Sequence, residues 1–417
     1  MADAKLKLVA DCIDKLDDIS AELNGFYFER ADTIKTLMNS MVSRQHNLQL
    51  GPPGTGKSGL VRSVMQSFND VEFPDGSNTG APKKHAYFEK LVGKAFPVEE
   101  ILGPMSLKGL SNDEYRRVLA GFLPMATIAF LDEIYKAGPV LISPLLSIIN
   151  ERVYTNGAEI VSCPLRFLCA GSNELYEGEG LDAFDARLVL RTWTDYIAEK
   201  SNFVQFIKTV RTKDAPDTKQ FGLKVAHIDA AFDYARTEIK WEDDATEILW
   251  TIRENFRAEG LLFDDRRAAW IAQSLVPAET VLRGGDTVEP EDFDILAHAL
   301  WRKPKDRDKA QELVYKTSNP VLEEVNQFVD DAKSAWNTCE SILNDANISG
   351  AERESAGMDC NATLKNIIKK LDKRADETAN RTRAQFEGAL DTVEEIHENV
   401  LENVMRVGRP KTRREHA

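Results

Sequence analysis

Gly51-Pro52-Pro53-Gly54-Thr55-Gly56-Lys57-Ser58 is the stretch on which the reading of this chain turns. It fits the pattern G-x-x-x-x-G-K-[ST]. The glycines let backbone N–H groups turn inward around a chain of phosphates, and the helix that follows presents its positive end to them. Lys57 is placed to reach the β- and γ-phosphates, and the Ser58 hydroxyl to ligate Mg2+. The context agrees, because residues 46–50 read as a short strand running into the loop and residues 58–68 as a helix leaving it. The candidate nucleotide-binding residues are therefore Gly51, Pro52, Pro53, Gly54, Thr55, Gly56, Lys57, Ser58 and Gly59.

Further along, Ile128-Ala129-Phe130-Leu131 is an apolar strand that ends in Asp132-Glu133. Asp132 can hold magnesium through water, and Glu133 can polarise the water that attacks the γ-phosphate. An apolar run ending in two acids is common at strand ends; its distance of two β-α units from the loop gives it weight. A third strand ends in Ala170-Gly171-Ser172-Asn173, where the Asn173 amide can sense the γ-phosphate or simply cap a helix. Arg187 and Arg191, spaced by four, are expected along one helical face or at a helix end. Either is a candidate for the arginine that a neighbouring subunit supplies to transition-state charge, and either can instead be a salt-bridge residue. Arg266 and Arg267 follow Asp264-Asp265 at the start of a helix, from which one can reach the nucleotide from the lid side.

Around these motifs, strands are expected at 86–92, 126–131 and 164–170, with helices at 5–23 and 31–42 and between the strands. This alternation predicts an α/β core with a parallel sheet covered on both faces. Asn156-Gly157, within 152–160, supplies the two positive-φ positions of a type I′ hairpin turn. Beyond about residue 200 strands cease, and 202–211, 245–258, 266–275 and 291–301 read as helices of an all-α lid. From 319 onward apolar residues step at three or four, which predicts a long helical hairpin with one turn near Gly350. The expected domains are residues 1–200, 201–310 and 311–417.

Composition bounds the function. The chain has 417 residues, 42% of them apolar and 29% charged, and a formal charge of −15. Such an acidic balance disfavours nucleic acid, since phosphate backbones require clustered Lys and Arg; the basic tail 406–414 is the one local exception. Cys12, Cys163, Cys169, Cys339 and Cys360 include no C-x-x-C pair, so neither a disulfide framework nor structural zinc is expected. The polar start and the lack of a bilayer-length apolar run point to a cytoplasmic protein with no membrane span.

Taken together these residues resemble the MoxR family of AAA+ ATPases, and most closely its RavA-like branch, over residues 23–301. Besides the loop and the acidic pair, the resemblance rests on Gly25-Phe26-Tyr27-Phe28-Glu29-Arg30, Pro97-Val98-Glu99-Glu100-Ile101-Leu102-Gly103-Pro104, Asn150-Glu151-Arg152 and Asp264-Asp265-Arg266-Arg267. It implies a P-loop AAA+ core with a helical lid, hexamerisation, and ATP with Mg2+ bound between subunits. It gives Asn173 the sensor-one role, Arg266 the sensor-two role, and Arg187 or Arg191 the finger acting in trans. Tyr27 and Arg30 would lie near the adenine, and residues 94–110 and 152–160 would be the family's helix-two insert and pre-sensor hairpin. The expected partner is a protein client or a von Willebrand factor A domain protein. The RavA-like branch carries an inserted C-terminal β-domain that contacts a lysine decarboxylase; here the helices close through 347–350 without it, so that partner is not expected. The competing expectations are a nucleic-acid-stimulated motor and an ATP-gated scaffold with slow turnover.

Overall fold

The computed structural model describes residues 2–73, 85–93, 96–137, 139–174, 182–344, 348–377 and 380–403. The basic tail at 406–414 lies outside them. Two compact units are present, Met1–Val314 and Tyr315–Ala417. The segments expected as core (1–200) and lid (201–310) both fall in the first.

Two long helices open the chain, α1 (Ala2–Asn24) and α2 (Ala31–Ser43). The strand β1 (Asn47–Leu50) then leads through the glycine loop to α3 (Lys57–Met65). Strands β2 (Val71–Glu72) and β3 (His85–Leu91) follow, then the short helices α4 (Glu99–Leu102) and α5 (Leu107–Leu110). After β4 (Ile128–Asp132) and α6 (Pro139–Leu146) comes an antiparallel hairpin of β5 (Val153–Asn156) and β6 (Glu159–Ser162). The core closes with β7 (Phe167–Ser172), α7 (Asp182–Asp185) and β8 (Leu190–Trp193). Six strands form one sheet in the order β2-β3-β4-β7-β1-β8, and every pairing in it is parallel. Strand β1 is therefore interior, flanked by β7 and β8, and its four residues are all buried. Its sequence nevertheless alternates polar and apolar residues, and the buried amides are satisfied within the core: Asn47 donates to Ser40 Oγ at 3.1 Å and Gln49 accepts from Thr192 Oγ1 at 2.7 Å.

The remainder of this unit is helical: α8 (Lys200–Thr212), α9 (Val225–Thr237), α10 (Asp243–Ala258), α11 (Asp265–Trp270), α12 (Val276–Leu282) and α13 (Arg307–Ser318). On α1, Val9, Cys12, Leu16, Ile19 and Leu23 repeat every three or four residues and are buried. They join one core with residues of α2, α3, α9, α12 and one face of the sheet. Helix α9 thus packs with the nucleotide core rather than apart from it.

Three expectations need correction. Leu190–Trp193 is a strand, paired parallel to β1, so Arg187 and Arg191 do not share a helical face. Asn156 pairs with Glu159 inside the hairpin, leaving Gly157 and Ala158 as the turn; Gly157 alone has positive φ, +67°, so the turn is not type I′. Instead the Asn156 side chain accepts from the Arg117 N–H at 2.7 Å and donates to the Arg117 carbonyl at 3.1 Å. A Cβ on Gly157 would lie 2.2 Å from the Tyr115 carbonyl oxygen, so glycine here permits close approach of a second segment. Finally, beyond α13 the described residues of the C-terminal unit form three helices, α14 (Pro320–Asn344), α15 (Gly350–Glu377) and α16 (Asn380–Asn403), rather than a hairpin of two. They share a core that includes Val325, Ala332, Leu364, Leu371, Phe386 and Val393. The apolar stripe lapses between Ala375 and Phe386 in the sequence.

Candidate nucleotide site

The site forms at the carboxyl ends of three adjacent strands. Strand β1 delivers the glycine loop, β4 ends at Asp132, and β7 runs into Asn173. In the loop, Gly54 and Gly56 have φ of +80° and +83°, the left-handed backbone that glycine adopts without strain. Gly51, at φ +140°, would press a Cβ to 1.9 Å from the Thr194 carbonyl oxygen. These conformations turn the loop amides toward one centre and start α3 at Lys57.

The side chains predicted from sequence meet there. Ser58 Oγ donates to Asp132 Oδ2 at 2.6 Å. Lys57 Nζ donates to the carbonyls of Gly51 and Pro52 at 2.7 and 2.8 Å and to Asn173 Oδ1 at 2.8 Å. The Asn173 amide in turn donates to Glu133 Oε1. Burial pushes the Lys57 pKa down, and Asp132 and Glu133 pull against that shift. Glu133 is 9% exposed and sits at φ +54°, a left-handed conformation that few residues with a Cβ adopt and that marks functional sites. Magnesium in nucleotide sites takes one or two protein oxygens plus phosphate and water oxygens. The paired Ser58 and Asp132 oxygens are a donor set of that kind.

Sequence reasoning missed three contributors. A Cβ on Gly171 would stand 2.5 Å from Asp132 Oδ1, so this glycine gives Asp132 its position; a glycine inside a buried strand is the available signal. Lys136 Nζ lies 3.3 Å from Glu133 Oε2 and balances its charge. Glu29 accepts from the N–H groups of Ala198 and Glu199 at 2.9 and 3.0 Å and from the Asn202 amide at 3.0 Å, holding the start of α8. Beside it, Arg30 donates to the Thr55 carbonyl at 3.2 Å and to the Asp195 carbonyl at 2.7 Å. Tyr27, hydrogen-bonded to Ser63 at 3.0 Å, and Arg30 line a cavity of about 300 Å3 with Thr55, Tyr196, Phe203 and Phe206. A flat apolar slot against the loop has the character of a base pocket.

The arginines separate. Arg191 is wholly buried, donating to the carbonyls of Asp185 and Leu188 at 2.9 and 3.0 Å and ion-paired to Asp185 at 3.3 Å. A guanidinium enclosed by its own chain is not available to a neighbour, so Arg191 is withdrawn as a trans finger. Arg187 stands partly exposed in the turn after α7; burial lowers its pKa and the charge of Arg266 lowers it further. Arg266 is exposed, bonded to Asn150 Oδ1 at 2.6 Å and stacked on Trp270 at 4.7 Å. Among the described residues, the hydrogen-bond partners of Lys57, Ser58 and Glu133 do not include it. Arg266 lies near enough to Arg187 for the two charges to interact.

A glycine loop on an interior parallel strand, with acidic and amide groups on the next two strands, defines a P-loop ATPase of the AAA+ class. Residues 14–230 match the family described as the MoxR domain in the MoxR-vWA-beta-propeller ternary systems, and residues 244–314 match an AAA lid domain. The chain belongs to the MoxR family of AAA+ ATPases. Two uncharacterized proteins of Methanocaldococcus jannaschii are similar to it. MJ0812 is 32% identical over 79% of this chain and 81% of its own length, and MJ0079 is 30% identical over 80% and 82%. A crystal structure of a candidate ATPase from Cytophaga hutchinsonii shares the fold at TM-score 0.55 and 14% identity, covering 76% of this chain and 98% of its own.

Proposed function

We propose that this chain hydrolyses ATP with Mg2+ and uses the cycle to remodel or activate a protein partner. The observation that carries the reading is the hydrogen-bonded series Lys57–Asn173–Glu133 beside the Ser58–Asp132 pair. Glu133 would accept a proton from water as its oxygen bonds to the γ-phosphorus, while the bond from that phosphorus to the bridging oxygen breaks and ADP leaves. Lys57 would exchange its loop carbonyls for phosphate oxygens, and Asn173 would hold the water and Glu133 in register. Magnesium, when bound through Ser58 and Asp132, neutralises charge on the phosphates. Arg187, with Arg266 beside it, would act on the nucleotide of an adjacent copy in a hexamer.

A von Willebrand factor A domain protein is the favoured partner, because the matched family is described by its association with one. Among the described residues no helix is long and apolar enough to cross a membrane, and the five cysteines are free and buried. Free buried thiols fit a reducing cytoplasm.

The test is Glu133→Gln. Turnover should fall by about 10²- to 10⁴-fold while ATP affinity is retained, as read by phosphate release and by equilibrium binding; turnover at the native rate sinks the assignment. Mixing Arg187→Ala with Glu133→Gln subunits should recover part of the activity if the arginine acts in trans, and no recovery at any ratio argues for a site complete within one chain.

A further inference from the structure

The opposite edge of the sheet holds a second concentration of polar chemistry that the nucleotide site does not use. Arg44 lies three residues before β1, and Arg166 immediately precedes β7. Both are at the amino ends of the strands whose carboxyl ends carry the loop and Asn173. With Arg152 and Arg236 they line a cavity of about 450 Å3 that contains four arginines and no carboxylate. In a chain of net charge −15, four guanidiniums on one concavity depart from the general balance.

Their partners within the chain are one carboxylate in contact, Asp229, with Asp233 acting on Arg44 from farther off, and neutral groups that take the remaining Arg166 donor and both Arg152 end nitrogens. Asp229 accepts from Arg44 and bridges Arg166 at 2.7 and 3.0 Å, one carboxylate between two cations. Arg152 is held by neutral groups, among them the carbonyls of Arg44 and Arg166 at 3.2 and 3.3 Å. Burial above all, with a further contribution from the nearby Arg44 and Arg166, lowers the Arg152 pKa to about 10. Arg236 is exposed and lies over the Phe232 ring, whose other neighbour is Arg44 at 4.0 Å.

Arg44 and Arg152 have φ of +54° and +57°, two of the five non-glycine positions with positive φ among the described residues. Two others are Glu29 and Glu133, at the nucleotide site. At Arg44 and Arg152 the left-handed backbone ends a helix: Arg44 is the C-cap of α2 and Arg152 that of the π-helical turn Ser147–Glu151.

We propose that this cavity is a second anion site, which takes a phosphate-bearing ligand of at least the size and charge of a pyrophosphate group. Guanidinium forks match phosphate oxygens in pairs, and a multiply charged phosphate relieves the repulsion among the four cations. The amides of Gln45 and Gln273 in the same lining add neutral donors. A polynucleotide is a poorer occupant, since the charge is confined to one concavity on an acidic protein rather than spread along a stripe.

Calorimetric titration of the full chain with sodium pyrophosphate tests this. The native protein should show two binding events. Lys57→Ala should remove the one at the glycine loop, and Arg236→Glu should weaken the other at least tenfold. The double variant should show neither. Arg236 is exposed, and an unchanged melting temperature for Arg236→Glu will show that the fold is intact. A single event abolished by Lys57→Ala, or a second event indifferent to Arg236→Glu, overturns the proposal. Displacement of pyrophosphate from the Lys57→Ala protein by an oligoglutamate peptide of equal charge and at equal concentration would overturn the phosphate assignment in favour of an acidic segment.

Discussion

The two edges of one parallel sheet are built on opposite plans. At the carboxyl edge, eight consecutive residues make most of the nucleotide site, and Asp132, Glu133 and Asn173 sit at or just past strand ends. At the amino edge, four arginines come from positions 44, 152, 166 and 236 and meet only because the chain has folded. The first plan leaves a motif; the second leaves none. Groups at the carboxyl edge are poised for exchange, since the bonds Lys57 makes to loop carbonyls are ones that phosphate oxygens can replace. Groups between the edges are locked, and Arg191 is the clearest of them.

That contrast predicts a graded set of outcomes. Replacing the wholly buried Arg191 by Met should leave Asp185 without its buried partner and destabilise the protein by about 3–5 kcal/mol. Arg187→Ala, four residues away, should move stability by less than about 0.5 kcal/mol. Equal losses in chemical denaturation would erase the distinction drawn between the two arginines. Gly171→Ala should cost about 1–3 kcal/mol through overpacking against Asp132. A shift of about 1 Å in that carboxylate should also lower turnover by about 10²-fold; a stability loss with native kcat would show that the Asp132 position is not critical. Glu29→Ala removes the acceptor at the start of α8 and should cost about 1 kcal/mol locally, seen as faster amide exchange at Ala198 and Glu199.

The smallest effect is on pH. Burial raises the Glu29 carboxyl, but the hydrogen bonds from Ala198, Glu199 and Asn202, together with Arg30, outweigh it and hold the pKa below the ordinary glutamate value. A carboxyl depressed in the folded state stabilises it fully above the unfolded pKa and loses that contribution as pH falls through the folded one. Exchange protection of the first turn of α8 should therefore fade in acid below the usual glutamate range. Protection that stays flat through that range would assign the anchoring to Phe203 and Phe206 instead.

Legibility in the sequence followed the same division. The loop, the acidic pair and the strand alternation were readable because each is a contiguous pattern with a local cause. Strand β8 was not: Leu190-Arg191-Thr192-Trp193 is four residues long and carries a guanidinium whose partners, Asp185 and Leu188, become visible only in three dimensions. Asn156-Gly157 has the composition of a hairpin turn, yet tertiary contact with Arg117 and Tyr115 determines its use. Helix α9 was overlooked although its apolar residues are regularly spaced, and its place in the nucleotide core depends on α1, some two hundred residues earlier.

The contact between the hairpin and residues 105–117 has a mechanical meaning. Asn156 grips both backbone groups of Arg117, Gly157 lies under Tyr115, and the bridge between Met105 and Arg117 closes the loop on itself. These contacts tie the two segments together, and Leu107, Tyr115 and Ile160 on them are exposed. Just before β5 begins at Val153 stands Asn150, which accepts from Arg266. The hairpin and the partner of that arginine are thus joined by a short, continuous piece of backbone.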